Sequence, residues 1–355
     1  MSDSGTRAFR LPGFRHNFFH MRAFLAVFLI ALTITLGSVP WVRRAAIALG
    51  LVDTPSQRKA HRTPTPLLGG AAIFIGAIVG VLLIYGGDPQ PTVIGVVLAT
   101  SVVALTGLID DYRPLPAWLK LAGQVAGFLI LVYFGIRVRL PVAEPLNYAI
   151  TLLWLLGITN AINFLDNMDG LSAGISAVTA SFILLLALIN GQFLVGALAA
   201  GLLGACLGFL RYNFPPAQIF MGDVGSLFLG FLLAIMGIQL RFPGNSNFVT
   251  WMVPVFLFGL PILDMTLVVF SRLRRGLSPN TAGKDHISHR LVRLGFSSRE
   301  AVLILYLFSG ILGMMALFIT QATVIEGYVV AAIAALAAVI AIGWLEQKWK
   351  ESEIT

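Results

Sequence analysis

The chain has 355 residues, of which 57% are apolar and only 11% are charged. Soluble domains carry about 25% charged residues, so this composition excludes an ordinary soluble fold. The chain consists instead of consecutive apolar stretches of about 20 residues, the length that crosses a bilayer as a helix. The net charge of +8 is spread over short segments between those stretches. It favours contact with membrane lipid or phosphate-bearing substrates over binding of nucleic acid.

Eleven apolar stretches predict an all-α fold, a polytopic integral membrane helical bundle formed by a single domain, 1–355. The N-terminal tail, 1–22, resembles a signal peptide, but no small-residue cleavage site stands out, so the first stretch is interpreted as an uncleaved span. Pro254 and Pro261 each remove a backbone donor from the ninth span and predict a kink there. The predicted spans lie near 23–42, 67–86, 91–109, 118–136, 147–165, 170–189, 192–210, 224–240, 249–270, 301–320 and 325–345.

Loop charges predict the orientation in the cell inner (plasma) membrane. Fourteen lysines and arginines follow the odd-numbered spans, whereas only Arg137, Arg139 and Arg241 follow the even-numbered spans. The positive-inside rule places the first set, including the long loop 271–300, in the cytoplasm. The N-terminal tail then lies outside. Its own four arginines favour the cytoplasm instead, but the fourteen basic residues of the loops outnumber them.

Paired aspartates close the third span, in the segment LIDDY. Asp110 and Asp111 repel each other at a membrane surface unless a divalent cation or a proton shares their site. The alternative is an ordinary solvated helix end. Lys120 lies just inside the fourth span, where it either reaches to the interface or faces these carboxylates.

A polar stripe closes the fifth span, in NAINFLDNMDGL. Asn160, Asn163 and Asp166 recur every three residues, so they lie along one side of a helix that leaves the membrane. Such residues are rare inside a span and indicate a lined cavity. The alternative is a simple cap, with a turn at Asp169 and Gly170.

Asp223 begins the eighth span, in FMGDVGSLFLG. The glycines on both sides allow the backbone of another segment to approach closely. A carboxylate is also favoured at a helix N-terminus as a cap, which is a serious alternative for this residue taken alone.

Two further groups suit phosphate oxygens. His286 and His289 lie with basic neighbours in the long loop, where paired histidines bind phosphate or a metal. Arg62 closes a cationic cluster, 58–62, that precedes PTPLLGG and suits a lipid phosphate or a diphosphate. The alternative for the histidines is an ordinary solvated basic loop. The alternative for the cluster 58–62 is that its charge serves only as a positive-inside signal.

Carboxylates that bind Mg²⁺ beside cations that bind phosphate are the requirement of phosphoryl transfer. A transporter is the main rival interpretation, but it predicts polar residues near the bilayer midplane. Here the polar residues cluster at one surface, and only Asp264 lies deeper. A lipid-binding scaffold would need the basic residues but not five acids on the same face.

Five segments, taken in order over residues 50–300, resemble the polyprenyl-phosphate N-acetylhexosamine-1-phosphate transferase family. The resemblance implies a transfer that depends on Mg²⁺, with Mn²⁺ as an alternative, at the cytoplasmic face. A UDP-N-acetyl sugar gives its sugar-1-phosphate to undecaprenyl phosphate, and UMP leaves. The matching segments are RKAHRTPTPLLGG, LIDDY, NAINFLDNMDGL, RYNF with FMGDVGSLFLG, and SRLRRGLSPN with DHISHRL.

The resemblance also implies roles for single residues. Asp110 is matched with the group that activates the lipid phosphate, Asp111 with a carboxylate beside the metal, and Asp223 with the principal metal ligand. Asp166 and Lys120 complete the implied catalytic set. Substrate binding is implied for Arg62, Asn163, Asp169, Asn213, His286 and His289.

Two positions depart from the family pattern. Asn167 follows Asp166 where the family has glycine, and Ser288 stands where it has a further histidine. The HISH loop resembles the corresponding loop of one branch of the family. That branch starts O-antigen, common-antigen and teichoic-acid synthesis from UDP-N-acetylglucosamine. The peptidoglycan branch, with its UDP-muramoyl-pentapeptide donor and three consecutive histidines, is the alternative. The sequence leaves the sugar and the presence of a homodimer open.

Overall fold

The structure is a computed structural model that describes residues 14–53, 64–85, 90–279, 281 and 283–354. The predicted substrate residue Arg62, with the rest of the cationic cluster 58–62, lies outside the described residues. The predicted all-α class is confirmed, because the described strands are two residue pairs, β1 and β2, that join antiparallel with Val52 opposite Pro66.

The elements follow one another with short connections. Helix α1 begins at Phe14, inside the predicted tail 1–22, and continues past Pro40 to Ala48. The predicted long loop, 271–300, contains the end of α11, all of α12 and the start of α13. In chain order the elements are α1 Phe14–Ala48, β1 Val52–Asp53, β2 Thr65–Pro66, α2 Gly69–Tyr85, α3 Pro91–Tyr112, α4 Ala117–Tyr133, α5 Glu144–Leu165, α6 Leu171–Ile189, α7 Phe193–Asn213, α8 Asp223–Gln239, α9 Asn247–Thr250, α10 Met252–Leu257, α11 Gly259–Arg274, α12 Ile287–Arg293, α13 Ser298–Ile319 and α14 Val324–Ile354.

Within the described residues, seven helices are long and apolar enough to cross a membrane, and there are eight if the bent segment α9–α11 counts as one span. Three shorter apolar helices, α2, α4 and α8, accompany them. The protein is therefore a polytopic helical membrane protein. The predicted count of eleven requires all three shorter helices to cross as well, so it stays a prediction.

The predicted kink in the ninth span is confirmed by a bend of 69° between α10 and α11. The break falls at Phe258, between the two prolines. Pro261 has no N–H to donate to the carbonyl oxygen of Leu257, four residues earlier. Thr179 Oγ1 donates to that oxygen instead, at 3.4 Å, so the broken helix is tied to α6.

Helix α8 forms the centre of the bundle, and every residue from Val224 to Ile238 is buried. Its N-terminus meets α3 at Gly107, where a Cβ atom would lie 2.3 Å from the carbonyl oxygen of Asp223. Only a residue without a side chain permits this approach. The close contact brings the end of α3, with Asp110 and Asp111, to the start of α8.

The ends of α3, α5 and α7 and the starts of α4, α6 and α8 meet at one end of the bundle, which we call the acidic end. Contacts across it join residues more than 100 positions apart in sequence, such as Lys120 with Asp223. The rest of the candidate site is built from these helix ends.

Candidate active site

The N-terminus of α8 is capped by a carboxylate from another helix. Gly222 precedes the helix with φ of 74° and offers no side chain as a cap. Asp111 takes that place, because its Oδ1 accepts from the backbone N–H of Asp223 at 2.8 Å and its Oδ2 from that of Val224 at 3.0 Å. Two of the free N–H groups of the helix are thereby satisfied by a negative charge at the positive end of the helix dipole.

Gly222→Ala tests this capping. Alanine at φ 74° is strained, and its Cβ would lie 2.5 Å from Oδ2 of the Asp111 carboxylate, which is held in place by one hydrogen bond to each oxygen. We expect the change to destabilise the fold by at least about 1 kcal/mol and to lower the thermal midpoint in detergent. Gly50→Ala is the matched control, since Gly50 has φ of 71° but a Cβ added there would meet no atom within 4 Å. An equal loss of stability in both variants would contradict the role given to Asp111.

Lys120 bridges two of the carboxylates. Its Nζ lies 2.5 Å from Asp223 Oδ2 and 2.9 Å from Asp110 Oδ2. Asp110 also accepts from the backbone N–H of Leu115 through Oδ1 at 2.7 Å, which fixes the short turn between α3 and α4. Of the two alternatives that the sequence left for Lys120, the structure therefore selects the one in which it faces the carboxylates.

The polar stripe of α5 lies beside this group, as its spacing predicts. Asn163 Nδ2 donates to Asp223 Oδ1 at 3.1 Å and to Ser226 Oγ at 2.8 Å. One turn deeper, Asn160 donates to Gln124 Oε1 at 3.0 Å. Sequence reasoning missed Ser226 and Gln124, although Gln124 lies one helical turn after Lys120 and therefore on the same side of α4.

Asp166 follows the last residue of α5 and is half-buried. Burial, and after it the negative charges of Asp223, Asp111 and Asp169, raise the pKa of Asp166 to about 8. Burial is the larger cause of this shift, and the three neighbouring carboxylates add to it. A divalent cation or another positive group would favour the ionised carboxylates.

The carboxylates of the acidic end are suitable ligands for Mg²⁺, because this ion prefers carboxylate oxygens. Among the described residues, however, no three acidic, histidine or cysteine side chains converge on one point as a ready-made metal site. Mg²⁺ is usually held by one or two carboxylates together with substrate phosphates and water. The residues present therefore suit an ion that arrives with a phosphate-bearing substrate.

Asp169 and Asn213 fasten the loops around the site. Asp169 Oδ2 accepts from the backbone N–H of Ala217 at 2.9 Å. Asn213 accepts from the N–H of Gly170 at 2.9 Å and donates to the carbonyl oxygen of Ile219, also at 2.9 Å. Both side chains thus support backbone positions, and their implied contact with a nucleotide stays a prediction.

The two predicted histidines lie at α12 but differ in environment. His286 is buried, and its Nδ1 lies 2.7 Å from Asp264 Oδ2, while Asp264 Oδ1 accepts from the N–H of Ile287 at 2.7 Å. Asp264, which stood apart in the sequence, therefore anchors the start of α12. Burial, with the neighbouring His286 and Lys284, lowers the pKa of His289 to about 4. His289 is consequently neutral at pH 7, so a hydrogen bond of its ring and not a charge is what it can offer to a phosphate.

The two positions that depart from the family pattern contact each other. Ser288 Oγ donates to Asn167 Oδ1 at 2.6 Å, and Asn167 Nδ2 donates to the carbonyl oxygen of Phe164 at 2.8 Å. Helix α12 is thereby joined to the loop that carries Asp166. Nothing in the spacing of two residues 121 positions apart predicts this bond.

The structure thus defines a membrane-embedded helical protein with a carboxylate-rich site, one bridging lysine and a basic loop at one end of the bundle. A family model described as glycosyl transferase family 4 matches residues 93–241. These residues include Asp110, Asp111, Lys120 and Asp223.

The chain is also similar to curated proteins over most of its length. It is 35% identical to the probable undecaprenyl-phosphate N-acetylglucosaminyl 1-phosphate transferase of Bacillus subtilis (strain 168), over 84% of this chain and 86% of that protein. It is 34% identical to the decaprenyl-phosphate N-acetylglucosaminephosphotransferase of Mycolicibacterium smegmatis, over 82% and 81%. It is 26% identical to the undecaprenyl-phosphate alpha-N-acetylglucosaminyl 1-phosphate transferase of Escherichia coli (strain K12), over 77% of each chain. The chain belongs to glycosyl transferase family 4, the family of polyprenyl-phosphate N-acetylhexosamine-1-phosphate transferases.

Proposed function

We propose that this protein transfers N-acetylglucosamine-1-phosphate from UDP-N-acetylglucosamine to undecaprenyl phosphate at the cytoplasmic face of the plasma membrane. UMP is released, and the product is a lipid-linked diphospho-sugar that starts synthesis of a cell-envelope polysaccharide. The names of the related proteins support the sugar and the polyprenyl phosphate. The fourteen basic residues of the predicted cytoplasmic loops support the side of the membrane.

The observation that carries the proposal is the contact of Asp223 with Lys120, beside Asp110 and Asp111. An oxygen of the lipid phosphate forms a bond with the phosphorus atom attached to the sugar. The bond from that phosphorus to the oxygen of UMP breaks. Transfer between two anionic phosphates requires positive charge and fixed geometry more than covalent chemistry by the protein. A cation held between carboxylates meets that requirement.

Mg²⁺ is the metal that we propose, with Mn²⁺ as an alternative, held by Asp223 and Asp111 together with substrate phosphate oxygens. When bound, such an ion neutralises charge on the diphosphate and on the leaving UMP. Asp111 already accepts two backbone N–H groups, so it would share its oxygens between α8 and the ion.

The other residues act on charge and position. Lys120 places an ammonium group between Asp110 and Asp223, where it can also contact a phosphate oxygen. Asp110 orients the lipid phosphate beside that lysine. Asn163 orients Asp223, and the neutral His289 offers a ring N–H to the donor's phosphates.

A panel of UDP-sugar donors tests which sugar the protein transfers. Purified protein in detergent is given undecaprenyl phosphate, Mg²⁺ and one of three donors: UDP-N-acetylglucosamine, UDP-N-acetylgalactosamine or UDP-muramoyl-pentapeptide. We expect UMP release that depends on the lipid with the first donor, at a kcat/KM at least about tenfold above the others. Preference for the muramoyl donor would assign the protein to peptidoglycan synthesis instead.

The bond between Ser288 and Asn167 gives a second prediction on the same assay. We expect Asn167→Ala and Ser288→Ala each to lower kcat/KM, because each frees α12 from the loop of Asp166. The double variant should lose less than the two single losses combined, by about 1 kcal/mol in transition-state free energy. Additive losses would show that the two side chains act independently.

A further inference from the structure

The end of the bundle opposite the acidic end carries three arginines in its loops. Arg137 and Arg139 follow α4, and Arg241 follows α8. Helix α4 has 17 residues and is about 25 Å long, so Lys120 in its first turn and the two arginines beyond its last turn lie at opposite ends of the bundle. In the orientation that the loop charges predict, the positive-inside rule disfavours these three arginines. Membrane topology therefore does not account for them.

Two of these arginines line one open cavity, which we call the arginine cavity. It has a volume of about 600 Å³ and lies between the segment 137–147 and the start of α9. This volume falls within the range of sites that bind small molecules or parts of larger ones. Its polar lining residues are Arg137, Arg139, Glu144, Asn147 and Asn247.

Buried side chains of α5 fix the backbone on both sides of Arg139. Asn147 accepts from the N–H of Leu140 at 3.0 Å and donates to the carbonyl oxygen of the same residue at 3.2 Å. Thr151 Oγ1 accepts from the N–H of Val138 at 2.9 Å. Both α5 side chains are buried. The backbone that carries the arginine is therefore already ordered, so little conformational entropy is lost when a ligand binds there.

The two lining arginines retain N–H groups for an anionic acceptor. Glu144 pairs with Arg137 and accepts from the Asn147 amide at 3.2 Å. The Nε atom of Arg137 is buried and has no hydrogen-bond partner among the described residues. Arg139 donates to the carbonyl oxygen of Gly135 at 3.4 Å, and within the described part of the chain it forms no ion pair. An oxygen of a phosphate group would accept from these guanidiniums.

Arg241 adds a third positive charge beside the cavity. Its Nη1 donates to the carbonyl oxygens of Ile238 at 2.6 Å and Leu240 at 3.0 Å. Among the residues that the structure describes, it too forms no ion pair. Partial burial, and after it the positive charge of Arg139, hold the pKa of Arg241 below its usual range. The two guanidiniums therefore repel each other, and an anion beside them would relieve that repulsion.

Neighbouring side chains place the cavity at the level of the lipid headgroups. Tyr133, at the end of α4, is 84% exposed, and Trp251, just after α9, is 45% exposed. Tyrosine and tryptophan are enriched where a membrane meets water. Val142, in the cavity lining, and Leu146 are also exposed. These two aliphatic side chains offer contact to the apolar part of a lipid, from which a free phosphate ion would gain nothing.

We propose that the arginine cavity binds the phosphate group of an anionic glycerophospholipid. Arg139 binds the phosphate oxygens through its planar fork of N–H groups, and the positive charge of Arg241 attracts the headgroup from the adjoining loop. The amide of Asn247 adds a neutral donor. This lipid site lies at the other end of the bundle from the acidic end, so the inference does not rest on the proposed function.

Native mass spectrometry of the full-length protein in detergent tests the lipid site. The protein is titrated with phosphatidylglycerol, which is anionic, and separately with phosphatidylcholine, which is zwitterionic. We expect wild type to bind one phosphatidylglycerol molecule at least about tenfold more tightly than phosphatidylcholine. The double variant Arg139→Gln with Arg241→Gln should lose this preference. Equal affinity of wild type for the two lipids would overturn the proposal.

Arg44→Gln with Arg211→Gln is the matched control, because it removes two exposed arginines at the other end of the bundle. We expect this control to keep the preference for phosphatidylglycerol. An equal loss in both double variants would overturn the site, since it would show a general attraction between the protein's charge and the lipid. All four substituted arginines are exposed, so both variants should fold, and their thermal midpoints in detergent check this.

Inorganic phosphate distinguishes a lipid headgroup from a free ion. We expect an excess of inorganic phosphate to leave the phosphatidylglycerol bound, because the free ion makes no contact with Val142 and Leu146. Displacement of the lipid by inorganic phosphate would overturn the lipid assignment and make the cavity a site for free phosphate.

Discussion

Asp223→Asn is expected to lower sugar-phosphate transfer by at least about 10³-fold while the protein stays folded. Asparagine has the shape of aspartate and keeps one oxygen for the Asn163 amide, which lies 3.1 Å from Asp223 Oδ1. It loses the negative charge that faces Lys120 at 2.5 Å and that a metal would require. The measurement is kcat/KM for UMP release, beside the thermal midpoint in detergent.

Glu300→Gln is the matched control for this change. Glu300 caps α13 by accepting from the backbone N–H of Ser297 at 2.7 Å, and glutamine serves equally in such a capping box. The control removes one carboxylate charge outside the cluster, so its activity should stay within about twofold of wild type. Full activity of Asp223→Asn would remove Asp223 from the proposed metal site.

Lys120→Met is expected to lower kcat/KM by about 10²–10³-fold. Methionine fills a similar volume but leaves Asp110 and Asp223 without the ammonium group that now lies 2.9 and 2.5 Å from them. Two carboxylates that face each other without a cation repel, and the phosphate loses a positive partner. The loss should appear in kcat more than in the KM of either substrate, because charge develops on the phosphates as the bonds change.

Lys120→Arg separates charge from size. Arginine keeps the positive charge in a larger, planar group, so we expect activity between wild type and Lys120→Met. If Lys120→Arg and Lys120→Met were equally inactive, the lysine would act through its exact shape. If both were fully active, the bridge between Asp110 and Asp223 would have no part in transfer.

Sequence patterns predicted those features of the fold that follow from local chemistry. Apolar stretches of bilayer length indicated helices, and Pro254 with Pro261 indicated the kink, which the structure shows at Phe258. The alternation of spans also predicted that the ends carrying Asp110, Asp166 and Asp223 would meet at one face. The number of spans was harder to predict from the sequence, because α2, α4 and α8 are short for a membrane helix.

Partners across the bundle could not be predicted in this way. Asp111 suggested a metal ligand or a solvated helix end, yet both of its oxygens cap α8, more than 100 residues later. Spacing within one helix shows which side a residue occupies, but not which backbone N–H groups another helix brings there. The same limit applied to the bond between Ser288 and Asn167, and to Asp264 as the partner of His286.

Trp349 illustrates a different limit. A tryptophan near the end of a membrane helix is ordinarily an anchor at the lipid interface. Here it is 6% exposed and lies against arginines of two other helices. These contacts depend on burial, which sequence composition does not report.

The proposed reaction is tested most directly by following radiolabel from UDP-N-acetylglucosamine into organic-extractable lipid. Purified protein in detergent is supplied with undecaprenyl phosphate and Mg²⁺, and a parallel sample contains EDTA. We expect labelled lipid that EDTA abolishes and that renewed Mg²⁺ restores. Labelled lipid that persists in EDTA would contradict the metal at Asp223 and Asp111, and the absence of label would contradict the proposed transfer itself.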